Sequence, residues 1–107
     1  MLYIGELQNL CQDKNDERIV MTKHARSRFR ERSITLADIK NAIRTGKIIE
    51  QYENDKPFPS CLLSGITENN KYIHAVVSID NEYLYVITAY YPDASEWESD
   101  LVTRKEH

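Results

Sequence analysis

The sequence predicts a single α+β domain, with N-terminal helices packed on a four-stranded antiparallel sheet. Three observations predict it. Apolar residues recur at helical spacing up to Gly46 and alternate from Lys47 onward. The alternating segments are joined mostly by short turns, which implies antiparallel neighbours in a meander. The chain has 107 residues, 41% of them hydrophobic and 29% charged, enough for one modest core.

Residues 2–13 read as a first helix, because Tyr3, Leu7, Leu10 and Cys11 share a face, although Gly5 weakens it. Asp13 to Arg18 is a polar loop, and Ile19-Val20-Met21 is a short strand or an extended lead-in. Thr22 is a good N-cap for a second helix, with Ala25 and Phe29 as its core-facing stripe. Ser33-Ile34 breaks that helix. Thr35 and Asp38 then make a capping-box start for a third, whose apolar face is Leu36, Ile39, Ala42 and Ile43 and whose stop is Gly46. The strands are predicted at 47–53, 61–67, 72–79 and 83–91, with a proline-held loop at 54–60 and turns at 68–71 and 80–82. Asp93 to Lys105 is expected to be a short terminal helix around Trp97.

The stretch from Thr22 to Ile34 carries Lys23, Arg26, Arg28, Arg30 and Arg32 against the single acid Glu31, a local charge of +4 in a chain whose total is −3. It is a local anion site on an otherwise acidic chain. The overall acidity argues against a nonspecific nucleic-acid coat, so any RNA binding must rest on this helix. His24, Arg28 and Arg32 are spaced i, i+4, i+8 and line one helix face. An imidazole can move a proton near neutral pH, while guanidiniums hold a phosphate through paired donors and neutralise developing charge. That combination suits phosphodiester chemistry. A solvated basic face with arginine stems over apolar neighbours is the alternative.

His74 is the second candidate. On the third strand it shares a face with Tyr72, Val76 and Ser78, away from Ile73, Ala75, Val77 and Ile79. On the fourth strand, alternation puts Thr88 and Tyr90 with Leu84 and Val86. A three-residue turn at 80–82 would set His74 opposite Thr88, whereas a two-residue turn would send His74 and the Thr88/Tyr90 pair to opposite faces. Seven tyrosines among the aromatics fit either a base-stacking surface or a half-wet sheet.

No apolar run approaches the ~20 residues needed to span a bilayer. The N-terminus lacks a basic start and a small-residue cleavage site, so a cytoplasmic location is expected. Cys11 and Cys61 are too few and too isolated for a metal knuckle or a disulfide framework, and no paired-ligand spacing marks a metal site.

The order T-K-H-A-x-x-R-x-x-x-R-x-I (22–34), I-I-E-Q-Y (48–52), D-K-P-F-P-S (55–60), I-H-A-V-V (73–77) and I-T-A-Y-Y-P-D-A-S-E-W (87–97) resembles a bacterial domain-of-unknown-function family assigned to the RelE-like, BECR-fold toxin superfamily. The resemblance covers roughly residues 19–105. It implies a small ribonuclease fold and the toxin of a type II toxin–antitoxin pair; since no spacing marks a metal-ligand set, the expected activity is that of a metal-independent endoribonuclease without cofactor. Its substrate would be RNA, either mRNA or tRNA, and its partner an antitoxin, often of a zinc-binding kind. By position, His24, Arg28, Arg32 and His74 are the implied catalytic residues, with either histidine as acid or base. Thr88 and Tyr90, which match the family's strand motif, are expected to position phosphate or base, and the basic helix adds Lys23 and Arg26 as expected RNA contacts. The alternative is a non-catalytic RNA- or protein-binding module on the same fold. The catalytic reading requires the imidazole and the arginines to share one wet cleft.

Overall fold

The structure, a computed structural model, describes residues 1–12 and 14–105. Its elements run α1 (Ile4–Leu10), β1 (Ile19–Met21), α2 (Lys23–Glu31), α3 (Leu36–Thr45), β2 (Lys47–Tyr52), β3 (Ser60–Ile66), β4 (Tyr72–Asp80) and β5 (Tyr83–Tyr90). The architecture is α+β, as read from the sequence, but the sheet has five strands and is mixed, in the order β1-β5-β4-β3-β2. The fifth strand is Ile19–Met21, which pairs in parallel with Leu84–Val86. A three-residue apolar run has too little local pattern to announce such a partner more than sixty residues away. Asp13, which the sequence assigns to the end of the first helix or the following loop, lies outside the described residues.

All three helices cover one sheet face. Leu7 and Leu10 of α1, Ala25 and Phe29 of α2, and Ile39, Ala42 and Ile43 of α3 form one cluster with Cys61, Leu63, Ile73, Ala75, Val77, Leu84, Val86 and Ala89. α2 starts at Thr22, whose hydroxyl accepts from the Ala25 amide at 3.0 Å. It ends with Ser33 at φ 56°, the Ser33 amide bonding the Arg30 carbonyl and the Ile34 amide the Phe29 carbonyl at 2.8 Å. This is a Schellman stop with serine in the place usually held by glycine, sealed by the buried Phe29 and Ile34. α3 opens on the anticipated capping box, with Thr35 and Asp38 exchanging two 3.1 Å bonds. The other Asp38 oxygen accepts from the Glu68 amide, tying the helix start to the β3–β4 turn. α3 lies close to β3 because Gly65 has no side chain there. A Cβ on Gly65 would fall on the Ala42 carbonyl and within 2.7 Å of its Cα.

The opposite sheet face carries Tyr52, Glu50, Leu62, Ser64, His74, Val76, Thr88 and Tyr90. Across part of it lies the segment 93–105, which is a run of turns with one isolated bridge between Trp97 and Arg104, and not the helix expected. The cause is local. The Asp93 carboxylate accepts from the Ser95 amide, and the Asp100 carboxylate from the amides of Val102 and Thr103. Aspartates that bond backbone two and three residues on favour turns over helix. Among the described residues, no helix is long and apolar enough to cross a membrane.

Candidate functional site

α2 presents its charge outward. Lys23, His24, Arg26, Arg28 and Arg30 are exposed, while Ala25 and Phe29 anchor the helix in the core. Helical spacing brings His24 against Arg28 as the sequence predicts. Arg28 Nε donates to His24 Nε2 over 3.5 Å, a long hydrogen bond that leaves the proton of a neutral ring on Nδ1. Arg32, one turn further, is half-buried and directed elsewhere. Its Nη1 donates to the Ala89 carbonyl of β5 at 2.7 Å. Beyond Val86 no strand pairs with the outer side of β5 among the described residues, and this guanidinium caps a carbonyl there. Arg32 thus joins α2 to the sheet instead of standing beside Arg28 for a ligand.

His74 occupies the other side of the sheet. The β4–β5 turn has two residues, Asn81 and Glu82, since Asp80 pairs with Tyr83. By simple alternation this would separate His74 from Thr88 and Tyr90. A β-bulge prevents it: Val77 faces Val86, but Val76 faces Thr88, leaving Ile87 as the extra residue. Downstream of the bulge Thr88 and Tyr90 therefore change faces and leave the side of Leu84 and Val86. Tyr90 comes directly opposite His74, and Thr88 opposite Val76, one pair further on.

His74 is fully buried. Its Nε2 lies 2.6 Å from the Leu101 carbonyl and so carries the proton, and its Nδ1 faces the Tyr90 hydroxyl at 3.4 Å. The Trp97 ring meets it edge to face at 4.4 Å between centroids. Burial pushes the imidazole pKa below its usual value, partly countered by the bond to Leu101, and raises the Tyr90 phenol. Beside this pair Arg104 donates twice to Glu50, Nε to Oε2 at 2.6 Å and Nη2 to Oε1 at 3.2 Å. The Arg104 guanidinium also stacks over Trp97 at 4.6 Å. Glu50 accepts a third bond from Tyr52 at 2.5 Å. The bond from Arg104 holds the Glu50 carboxyl below its usual range, while burial and then the bond to Glu50 push the Tyr52 phenol up to about 12.

The predicted residues therefore form two groups. His24 and Arg28, flanked by Lys23 and Arg26, lie on the helical side. His74, Thr88 and Tyr90 lie on the other side, with the sheet between. They do not share the one cleft that the sequence reading required. Glu50, Tyr52, Trp97 and Arg104 were not singled out as site residues from the sequence, for Glu50 and Arg104 are 54 positions apart and no local spacing links them. A cavity of about 500 Å³ between α1 and α3 is separate from both groups. Its Gln8 and Asn41 amides are spent on the carbonyls of Ile43, Arg44, Ile66 and Thr67. Cys11, at its edge, and Cys61, in the core, are free thiols that burial pushes up to about 11, so neither is a ready nucleophile. Among the described residues no group of three or more His, Cys, Asp or Glu could hold a metal ion.

Comparison with known proteins gives one result. The family model described as "Domain of unknown function (DUF4258)" matches residues 21–91, from the end of β1 to the residue after β5. No curated protein and no solved structure matches the chain. The match takes in more than half of the sequence, both the α2 stripe and the His74–Tyr90 pair, and the chain belongs to that family.

Proposed function

We propose that this protein is a metal-independent endoribonuclease, the toxin of a type II toxin–antitoxin pair, and that it acts on RNA at the exposed face of α2, with His24 and the single arginine Arg28 in place of the shared cleft of imidazole and two arginines that the sequence reading required. The observation that carries the proposal is the contact of His24 with Arg28, both open to solvent on a helix that also exposes Lys23, Arg26 and Arg30. Phosphate entering this face draws Arg28 from the imidazole to its non-bridging oxygens, a stronger, charge-assisted pairing. His24 Nε2 is then free to take the proton of a ribose 2′-hydroxyl. The 2′-oxygen attacks the adjacent phosphorus, the bond to the 5′-oxygen breaks, and the leaving oxygen takes a proton from the imidazolium or from water. The products are a 2′,3′-cyclic phosphate and a 5′-hydroxyl. Arg28 offsets the charge that develops on the phosphoryl oxygens. Arg32 acts as a positioning residue, keeping α2 against β5. The resemblance of the ordered motifs to RelE-like toxins supports a toxin role on a RelE-like fold. An antitoxin with an acidic segment, zinc-binding or not, would cover the same basic helix.

A second reading, an RNA- or protein-binding module without catalysis, is favoured by one observation: Arg32 is committed to Ala89, so a single arginine, not two, stands beside His24. Purified protein incubated with total RNA, together with His24→Ala and Arg28→Ala, separates the two. Cleavage lost in both variants supports the enzyme. RNA retention without cleavage supports the module, and cleavage that survives both substitutions removes α2 from the chemistry.

A further inference from the structure

β5 leads from the basic helix to an exposed aromatic ring. Met21, just before the Thr22 cap of α2, lies beside Val86 in the parallel pair of β1 and β5. Arg32, at the other end of α2, holds the Ala89 carbonyl. α2 therefore advances along β5 in the direction of the strand. The next side chain on the helical face is that of Tyr91. Ala89 is opposite Ala75 in the core, and Tyr90 is opposite His74 on the far face. Pro92 favours an extended backbone at Tyr91, so the alternation runs on and returns Tyr91 to the side of Ala89 and α2. A second residue agrees. Lys71, two positions before the buried Ile73, belongs to the same face, and its ammonium lies over the Tyr91 ring at 6.0 Å. The ring itself is 39% exposed, enough to offer a surface to a ligand.

We infer that, on the reading of α2 as the RNA site, Tyr91 is the platform on which a base of the bound strand stacks, and that Lys71 takes a further phosphate. The position of the ring decides which base. His24 and Arg32 are eight residues apart along the helix, roughly 12 Å. Tyr91 stands two strand residues beyond Ala89, roughly 7 Å more. The ring is thus out of reach of the nucleotide at His24 and meets a base further along the strand. Cations that track a backbone, with a ring beside them for a base, are what single-stranded nucleic acid needs. Arg28, Arg30 and Lys71 are exposed and supply the cations. The present contact is easily given up. At 6.0 Å Lys71 is at the outer limit of attraction to a ring, and its exposed stem can turn to a phosphate. Every base has a face to stack, so the platform holds RNA without reading its sequence. Tyr90, the tyrosine expected from the sequence to contact RNA, does not serve on this side, because its ring packs against the buried His74.

Fluorescence anisotropy on the full-length protein tests this with two fluorescein-labelled 2′-O-methyl strands, which cannot be cut because the attacking hydroxyl is capped. One is an octamer of mixed sequence. The other has the same backbone with abasic residues throughout. The wild-type chain should favour the octamer. Tyr91→Leu, which keeps bulk and loses the ring, should weaken the octamer by about fivefold to a hundredfold, the range for a lost base–aromatic stack, and leave the abasic strand unchanged. Tyr91→Phe should bind as the wild type does. Lys71→Ala should weaken both strands and reduce the salt slope by roughly 0.7. Arg28→Ala reads the helix separately and should weaken both strands. Tyr91→Leu that binds the octamer like the wild type, or that weakens both strands alike, overturns the platform, while a loss in Arg28→Ala keeps the helix as the RNA site. A loss of octamer binding alone in Tyr91→Leu, with Arg28→Ala unchanged, supports stacking on Tyr91 and removes α2. A wild-type chain that binds neither strand at low salt overturns both.

Discussion

Replacing Arg32 with alanine separates its structural role from a catalytic one. The substitution deletes the 2.7 Å bond from the guanidinium to the Ala89 carbonyl and leaves the carbonyl of that buried residue at the outer side of β5 without its donor. A hydrogen bond from a charged donor contributes ~1.5–3 kcal/mol, and the space vacated by the half-buried Arg32 side chain lets water replace part of it, so a loss of about 1–2 kcal/mol is expected. For a domain of this size each kcal/mol lowers Tm by roughly 4–8 °C, which places the variant about 5–15 °C below the wild type. Arg28→Ala is the control. Its side chain is exposed and touches only His24 among the contacts described, so its Tm should move by less than ~0.5 kcal/mol would produce. Thermal unfolding followed by circular dichroism reads both. RNA cleavage, assayed well below either Tm, should be reduced far more in Arg28→Ala than in Arg32→Ala. An Arg32→Ala protein that melts with the wild type yet loses cleavage as fully as Arg28→Ala would refute the assignment of Arg32 to positioning.

Two other outcomes follow from the packing and from the buried imidazole. Gly65→Ala forces a methyl group into the backbone of Ala42, which cannot give way as a side chain would, so destabilisation at or above the upper end of ~1–3 kcal/mol is expected in urea unfolding. The pH dependence of stability should carry the mark of His74. Its folded pKa lies below the ordinary 6.5 because of burial, so the neutral ring's contribution is complete above that value and is lost as pH falls through the lower folded pKa. The groups around it are Tyr90, Trp97, Leu101, Arg104 and Glu50. Glu50, held down by Arg104, adds a second loss only below its own ordinary 4.5. Denaturant midpoints measured from pH 7 to pH 5 should therefore decline in the wild type and less in His74→Gln, and parallel declines would show that His74 is not the group responsible.

Much of the frame was legible in the residues. Thr22 and Thr35 mark two helix starts, and the change from helical to alternating spacing at Lys47 marks the sheet, because caps and periodicities act over a few residues. The features that escaped depend on distant partners. Ile19–Met21, read as a short strand or an extended lead-in, becomes a fifth strand of the sheet only because β5 is there to receive it. Asp93–Lys105 has a helix-compatible composition, yet its aspartates turn the chain and Trp97 finds its place against His74. At the candidate site, His24 and Arg28 meet because both sit on one helix. The separation of His24 from His74 depends on which sheet face each occupies. Neither the extra residue at Ile87 nor the link between Glu50 and Arg104 leaves a local trace.

The bulge at Ile87 gives β5 one residue more than its register with β4 uses. Removing that one residue, without altering any other, would restore strict alternation. Ala89 would stay opposite Ala75 in the hydrophobic layer, and Tyr90 opposite His74 on the other face. A deletion there should therefore cost little more than a substitution of Ile87, whose side chain is exposed. What this position contributes is a count of one, and a single strand can thereby serve oil on one side at its start and polar chemistry on that same residue parity at its end.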